Sequence, residues 1–527
     1  MSFAIWPIRI NGSVDELSSR LEGFYARCVV FLDVFERDVD EQEGGLGMDS
    51  IDQKPIVCDL AIIGSGSAAF AAAIRAVDLK ATVVLIEEST IGGTCVNVGC
   101  VPSKALLAAA EARRRAMDQP FPGIHTGAGP VVMDLLMEGK RVLVDDLRRD
   151  KYEDLATAYG FMVIHGRAQF AGSGRLMVTF EDQAGGRQRE VVAAKIVIAT
   201  GASPMVPRIP GLDAVPYLTS TTAMELQTIP EHLLVIGANA VGLEQAQLFA
   251  NLGASVTILE ALDRIAPFEE PEISVALTHI LGDQGIKVVT AATITQISSH
   301  QGRINLACEQ DATTCDLEGD ALLVATGRRP NTQRLGLADA GVEVGLMGEV
   351  IVDAQLQTTN PRIYAAGDVT GAPQFVYVAG LHGTIVVDNA LLDAGRSIDY
   401  RTMPRVTFTT PQIASVGLTD EGAIAAGYRC DCRVVELSSV PRALVNRDTR
   451  GLVKIVADQA TNKVLGIHLL ADGAADVILA GVYALEANFT VEQLATIWAP
   501  YLTMGEAIRL GAQSFTRDVA MLSCCAS

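Results

Sequence analysis

The pattern of apolar and polar positions changes texture several times along the 527 residues. From Ile56 a short apolar run, VCDLAII, passes into the glycine turn GSG and then into the alanine-rich SAAFAAAIRA. A second apolar run, ATVVLIEE, follows and ends in acidic residues. Short buried strand, tight turn, helix and second strand make up the βαβ unit of a parallel sheet. The same succession recurs in EHLLVIGANAVGLEQAQLFANLGASVTILE. Between and beyond these units, AAKIVIATGASP and ALLVATGRRPN each end a strand pattern in Ala-Thr-Gly, and NPRIYAAGDVTG adds a strand ending at Gly367-Asp368. This layout predicts one nucleotide-binding unit over 56–205 and 325–400, with a second, 206–324, inserted within it. After residue 400, PRVTFTTPQIASVG, GLVKIVADQATNKVLGIHLL and DVILAGVYALEANFTVEQLA predict strands and helices without a glycine fingerprint. The region 401–527 is therefore expected to be an α+β dimerisation domain. The whole is read as α/β, two Rossmann-like units plus that domain. Residues 1–55 carry a helix pattern, a strand pattern and a linker, with Met48 as an alternative start, and receive no function.

Composition narrows the classes. Hydrophobic residues make up 49% of the chain, with 48 glycines, which suits a globular α/β protein. A formal charge of -21 argues against nucleic acid or an anionic membrane as partner. No apolar run reaches the roughly 18 residues of a membrane span. The N-terminus lacks a basic segment followed by a long apolar stretch, which argues against secretion and for the cytoplasm. Ten cysteines in so long a chain are no disulfide scaffold. Cys58, Cys308 and Cys315 are expected to be ordinary thiols in a reducing compartment, and Cys430-Asp431-Cys432 an exposed loop rather than a metal site.

Three groups of residues carry chemistry. In Gly64-x-Gly66-x-x-Ala69 the first glycine makes the turn, the second admits a pyrophosphate close to the backbone, and Ala69 lets helix pack on strand. Glu87, ending the next strand, is placed for ribose hydroxyls. Gly237-x-Asn239-x-x-Gly242 with Glu260 repeats the arrangement, Asn239 being admitted at the central position for its tolerance of left-handed backbone. Two such units point to two dinucleotides, such as a flavin and a nicotinamide. Cys95 and Cys100 follow Gly92-Gly93 and precede Pro102-Ser103-Lys104. Residues five apart on a regular helix are separated by about 7.5 Å along its axis, so a bridge between the two requires a distorted first turn. A helix start and Lys104 both lower a thiol pKa. Finally, adjacent Cys524 and Cys525 are a poor disulfide, and two thiolates on a mobile tail suit capture of a soft metal ion.

With these motifs the chain resembles the pyridine nucleotide–disulfide oxidoreductases (class I) over residues 56–522. The resemblance implies FAD held at Gly64, Gly66, Glu87, Thr94, Gly201 and Asp368, with Cys100 against the flavin and Cys95 toward substrate. It implies that Lys104 pairs with Glu244, and that NADPH, with NADH tolerated, occupies the second unit, where Glu260 suits an unphosphorylated ribose and Arg264 a 2′-phosphate. Most members carry a His-Pro-Thr-x-x-Glu general acid/base; here the segment reads Tyr501-Leu502-Thr503-Met504-Gly505-Glu506. A phenol is a poor base at neutral pH. Tyr501, the terminal cysteines, VPRAL at 440–444 and Tyr152 in KYEDL resemble the Hg(II)-reducing branch of that family. That branch implies a homodimer whose active sites are shared between subunits, and Hg(II) brought by small thiols to Cys524 and Cys525, then to Cys95 and Cys100. The alternatives are a dihydrolipoyl dehydrogenase-like enzyme and a flavoprotein that sequesters metal without turnover.

Overall fold

The computed structural model describes residues 54–180, 187–310 and 313–521. The N-terminal segment, with its helix and strand patterns, and the Cys524–Cys525 pair lie outside the described residues.

Apolar runs without alternation become parallel strands covered on both faces. In the first sheet β1 (Ile56–Ile63) lies between β2 (Val83–Glu87) and β6 (Gln188–Ile198), parallel to both. Around them β3 (Met162–His165), β4 (Arg167–Phe170) and β5 (Arg175–Thr179) give the order β3-β2-β1-β6-β5-β4, and the short strand Ile363–Ala365 pairs with β6. Leu60, Ile62, Leu85, Ile196 and Ile198 fill its core. Helix α1 (Ser67–Asp78) buries its alanine face, including Ala69, against the sheet. The strand Ile363–Ala365 and Gly367-Asp368 thus join the first sheet from far along the chain.

The second parallel sheet runs β9-β8-β7-β13, from β7 (His232–Ile236), β8 (Ser255–Leu259), β9 (Ile286–Val289) and β13 (Ala321–Val324). Helix α4 (Ala240–Leu252) leaves β7, and α5 (Pro271–Asp283) precedes β9. Between β9 and β13 an antiparallel triplet is inserted: β10 (Thr293–His300), β11 (Arg303–Gln310) and β12 (Thr313–Gly319). Its register sets Cys308 directly opposite Cys315, and the two are disulfide-bonded with Cα atoms 5.0 Å apart. The expectation of two ordinary thiols is corrected by that register, since seven positions apart in sequence become neighbours across a ladder.

The C-terminal part is an antiparallel sheet of order β14-β15-β18-β17-β16: β14 (Pro404–Thr407), β15 (Gln412–Gly417), β16 (Cys430–Glu436), β17 (Leu452–Asp458) and β18 (Val464–Ala471). Helix α6 (Asp420–Ala425) packs by β16, and α7 (Glu506–Gln513) seals the other face. Cys430-Asp431-Cys432 is therefore a half-buried strand start and not an exposed loop. Hydrogen bonding to β17 overrode the polar, turn-like look of GYRCDC. Among the described residues no helix is long and apolar enough to cross a membrane.

Candidate active site

The site is built where strands of the first parallel sheet end. Gly64 has φ +107°, and a Cβ there would stand 2.3 Å from the Ala199 carbonyl oxygen, so the turn closes only with glycine. Gly66 has extended backbone and precedes α1; an added Cβ would meet Gly93 Cα at 3.9 Å. Neither backbone angle nor neighbouring atoms demand glycine there, so the space beside Gly66 is left open. Glu87 accepts from Ser65 Oγ at 2.6 Å and from the Ser89 N–H at 2.8 Å, which turns its carboxylate toward the glycine turn. Gly201 follows β6, and Asp368 lies in a short 3-10 turn whose Gly367 abuts Ala68 of α1. Asp368 has its carboxyl pushed up by burial, opposed by Arg328 3.8 Å away. Arg328 also donates to Thr94 Oγ1 at 3.5 Å and to the Ala202 carbonyl. Thr94, Gly201 and Asp368, far apart in sequence, thus share one cationic neighbour or its immediate surroundings. Sequence reasoning missed Arg328; its signal was the Arg that follows the second Ala-Thr-Gly.

The second turn repeats this construction. A Cβ on Gly237 (φ +103°) would meet the Ala325 carbonyl at 2.5 Å, and one on Gly242 would meet the Gly237 carbonyl at 1.9 Å. Glu260 accepts from the Ala238 N–H at 2.7 Å and the Leu262 N–H at 2.9 Å. Asn239 has φ −100° and ψ −172°, so the left-handed tolerance expected of it is not used. It occupies the N-cap of α4 in extended backbone, without a side-chain capping hydrogen bond. Arg264 donates to the carbonyls of Glu269 (2.7 Å) and Pro267 (2.8 Å), which commits its guanidinium to the loop before α5. The first turn leaves open space beside Gly66 at a helix start, where a dinucleotide pyrophosphate can lie, whereas the equivalent position of the second turn carries the Asn239 side chain.

Between the two turns stands the dithiol. Gly99 (φ −128°, ψ −113°) breaks one helical run into α2 (Gly93–Val98) and α3 (Cys100–Met117), leaving Cys95 in the first and Cys100 as first residue of the second. Both thiols are free, Cys95 half-buried and Cys100 exposed. The Cys95 thiol hydrogen-bonds to Cys100, and with Lys104 nearby this lowers Cys100 to about 6, against desolvation and Glu244. Cys95 is pushed up because it keeps the shared proton beside a thiolate. Cys58, which lacks such partners, is raised to about 11 by burial. Lys104 Nζ pairs with Glu244 Oε2 at 2.6 Å and lies 4.6 Å above the Phe408 ring. Phe408, for which the sequence carried no signal, also donates its backbone N–H to Glu244 Oε1 at 2.9 Å.

Tyr152 reaches the same place from a π-helical turn, Arg149–Glu153. Its ring stands edge-on to Phe70 with centroids 4.7 Å apart, and its hydroxyl bonds Ser67. Burial, and then the charge of Cys95, hold its phenol above the usual value. Tyr501 lies on the surface before α7, 48% exposed, and Glu506, at the start of α7, is buried with Arg509 3.2 Å away.

A dithiol beside one glycine turn, on a helix whose Lys104 is salt-bridged to the helix of the other, defines a nucleotide-dependent dithiol oxidoreductase. The chain belongs to the pyridine nucleotide-disulphide oxidoreductase family: that family's model matches residues 58–383, and the model of its dimerisation domain matches 403–512. It is 54% identical to a mercuric reductase of Streptomyces lividans, over 89% of this chain and 98% of that one. It is 45% identical to a mercuric reductase of Staphylococcus aureus, over 89% and 84%. Among solved structures, the Cu(II) complex of the HOCl-induced flavoprotein disulfide reductase RclA from Escherichia coli superposes with TM-score 0.78 at 32% identity, covering 87% of this chain and 99% of that one. LpdA from Mycobacterium tuberculosis does so with TM-score 0.78 at 28% identity, covering 87% and 100%.

Proposed function

We propose that this protein reduces Hg(II) to Hg(0) with NADPH as electron donor, tolerating NADH, through FAD and the Cys95–Cys100 dithiol. Gly64, Gly66, Glu87, Thr94, Gly201 and Asp368 would hold FAD, and Gly237, Asn239, Gly242 and Glu260 would hold the nicotinamide dinucleotide; the open space beside Gly66 at one helix start, and the like turn at the start of α4, suit such groups. Once bound, they supply the electron pair that Hg(II) accepts. The observation that carries the reading is the company of the dithiol. Lys104 and Glu244 act on it electrostatically, its own charge acts on the phenol of Tyr152, and Tyr501 stands in the segment where most members of the family carry their histidine base. A dithiol substrate needs a base of pKa near neutrality, whereas a soft metal ion needs thiolates.

The chain's own part is then exchange and orientation. Cys524 and Cys525 take Hg(II) from small cytoplasmic thiols, two Cys–S–Hg bonds forming as two incoming ones break. The ion passes by the same exchange to Cys100, already a thiolate, and to Cys95, whose proton leaves with a departing thiol. Tyr152, and Tyr501 contributed across a homodimer, present phenol oxygens to the ion. No step releases bare metal.

The deciding measurement is NADPH oxidation that depends on added Hg(II), followed together with Hg(0) vapour. One NADPH consumed per Hg(0) is expected. Hg(II) binding without NADPH loss would replace this reading with sequestration, and turnover with lipoamide alone would replace it with disulfide chemistry.

A further inference from the structure

Cys430 and Cys432 lie outside the site described above. Side chains alternate along a strand, so residues 430 and 432 of β16 share one face, and Val435, buried in the C-terminal core, marks the other. Cys430 Sγ lies 4.0 Å from the carbonyl of Asp420, at the start of α6, and the Asp420 carboxylate acts on both thiols. Two sulfurs that converge on one residue are near each other. Both are half-buried and unbridged, on a strand that among the described residues pairs with β17 alone. Asp458 stands opposite Cys430, and Glu270 adds a further carboxylate, so the local field favours a cation. Two cations lie close by and both are committed: Lys454 to Glu270 and Glu272 at 2.8 and 2.9 Å, and Arg433 to the Asp431 carboxylate and, at 2.9 Å, the Cys432 carbonyl.

We propose that Cys430 and Cys432 form a second metal site on this chain, a two-thiolate seat for a soft, linearly coordinated cation of the Hg(II) kind. Strand neighbours two apart have Cα atoms about 6.6 Å from each other. Two metal–thiolate bonds in line, at the roughly 2.3 Å known for zinc, set the sulfurs about 4.6 Å apart. Side chains leaning toward a common point cover that difference. A four-coordinate ion is not served: among the described residues no group of three or more His, Cys, Asp or Glu is arranged to hold a metal. Loading from a bis-thiol complex forms two Cys–S–Hg bonds and breaks two others, and the Cys430 and Cys432 protons leave on the two released thiols. No electron moves, so the site stores or relays the ion without reducing it.

The test uses FAD-loaded protein carrying Cys95→Ala, Cys100→Ala, Cys524→Ala and Cys525→Ala, which removes the reducing and capture pairs and makes the result independent of whether the protein reduces mercury. HgBr2 is equilibrated with this protein and excess monothiol, and the metal retained after gel filtration is counted. Adding Cys430→Ser, Cys432→Ser or both is expected to lower retention by one Hg(II) per subunit, to the same extent in each case. Equal retention with both serines present would overturn the site, as would retention by each single variant. In the otherwise unaltered protein, Hg(II) preloading is expected to protect Cys430 and Cys432 together from alkylation, read by peptide mass, while Zn(II) does not. Alkylation of both at the unloaded rate would equally overturn the proposal, whatever the folding of the variants.

Discussion

Lys104 Nζ and Glu244 Oε2 stand 2.6 Å apart although 140 positions separate them in sequence. The pair joins the helix that starts at Cys100 to the helix that leaves the second glycine turn. Glu244 is buried, and its other oxygen receives the Phe408 N–H from the C-terminal domain. One carboxylate therefore fixes the distance among three parts of the chain and sets the charge beside the dithiol.

Lys104→Met and Glu244→Gln should move the Cys100 pKa in opposite directions. Lys104 lowers it and Glu244 raises it, so the first change is expected to raise it by about 1–3 units and the second to lower it. Glu244→Gln should also cost about 1–3 kcal/mol of stability through lost charge-assisted hydrogen bonds. Ultraviolet thiolate absorbance against pH, with denaturant unfolding, checks both; shifts of the same sign would refute the electrostatic account.

The pH dependence of Cys100 follows from its lowered pKa. Its thiolate persists well below the ordinary value of 9.0 and is lost only as pH falls through about 6. Iodoacetamide alkylation of the reduced protein should rise about tenfold per pH unit below that midpoint, following the thiolate fraction, and level off above it. Cys95, whose pKa is raised, should react slowly throughout the same range. Peptide mapping of the alkylated sites reads this directly.

Tyr152→Phe keeps the ring against Phe70 and removes only the hydroxyl. Fold and FAD content should be preserved, while Hg(II) turnover should fall by about 10–100-fold, the range seen when a group supporting a metal ligand is lost. Full activity in the variant would reduce Tyr152 to a packing residue.

Replacing Cys524 and Cys525 together with Ala should separate capture from chemistry. FAD binding and reduction by NADPH should persist, because their residues lie elsewhere. Turnover of glutathione-bound Hg(II) should collapse, since two adjacent thiolates can displace both of its bulky ligands by exchange. Halide-bound Hg(II) should lose much less. Steady-state NADPH oxidation with both donors decides the matter, and parental behaviour with both would leave the tail without a role.

The glycine turns and the dithiol were legible in the sequence because their demands are local. Gly64 must take a φ that L side chains rarely adopt, and the interruption at Gly99 lies between the two cysteines it separates. A short run of letters can record such requirements. Asn239 shows the limit of that reading, since the right residue was admitted for a backbone conformation it does not adopt.

What the sequence alone determined was therefore the existence of two strand–glycine turn–helix units, a closely spaced cysteine pair and a domain of another texture. Only the tertiary structure decided which distant residues meet: Phe408 on Lys104, Arg328 between Thr94 and Asp368, Cys308 against Cys315, and the Cys430 and Cys432 thiols on Asp420. The physical reason is that register and packing are set by the summed burial of whole strands and helices. A single side chain inherits its neighbours from that sum, and its own stretch of sequence bears no periodic trace of them.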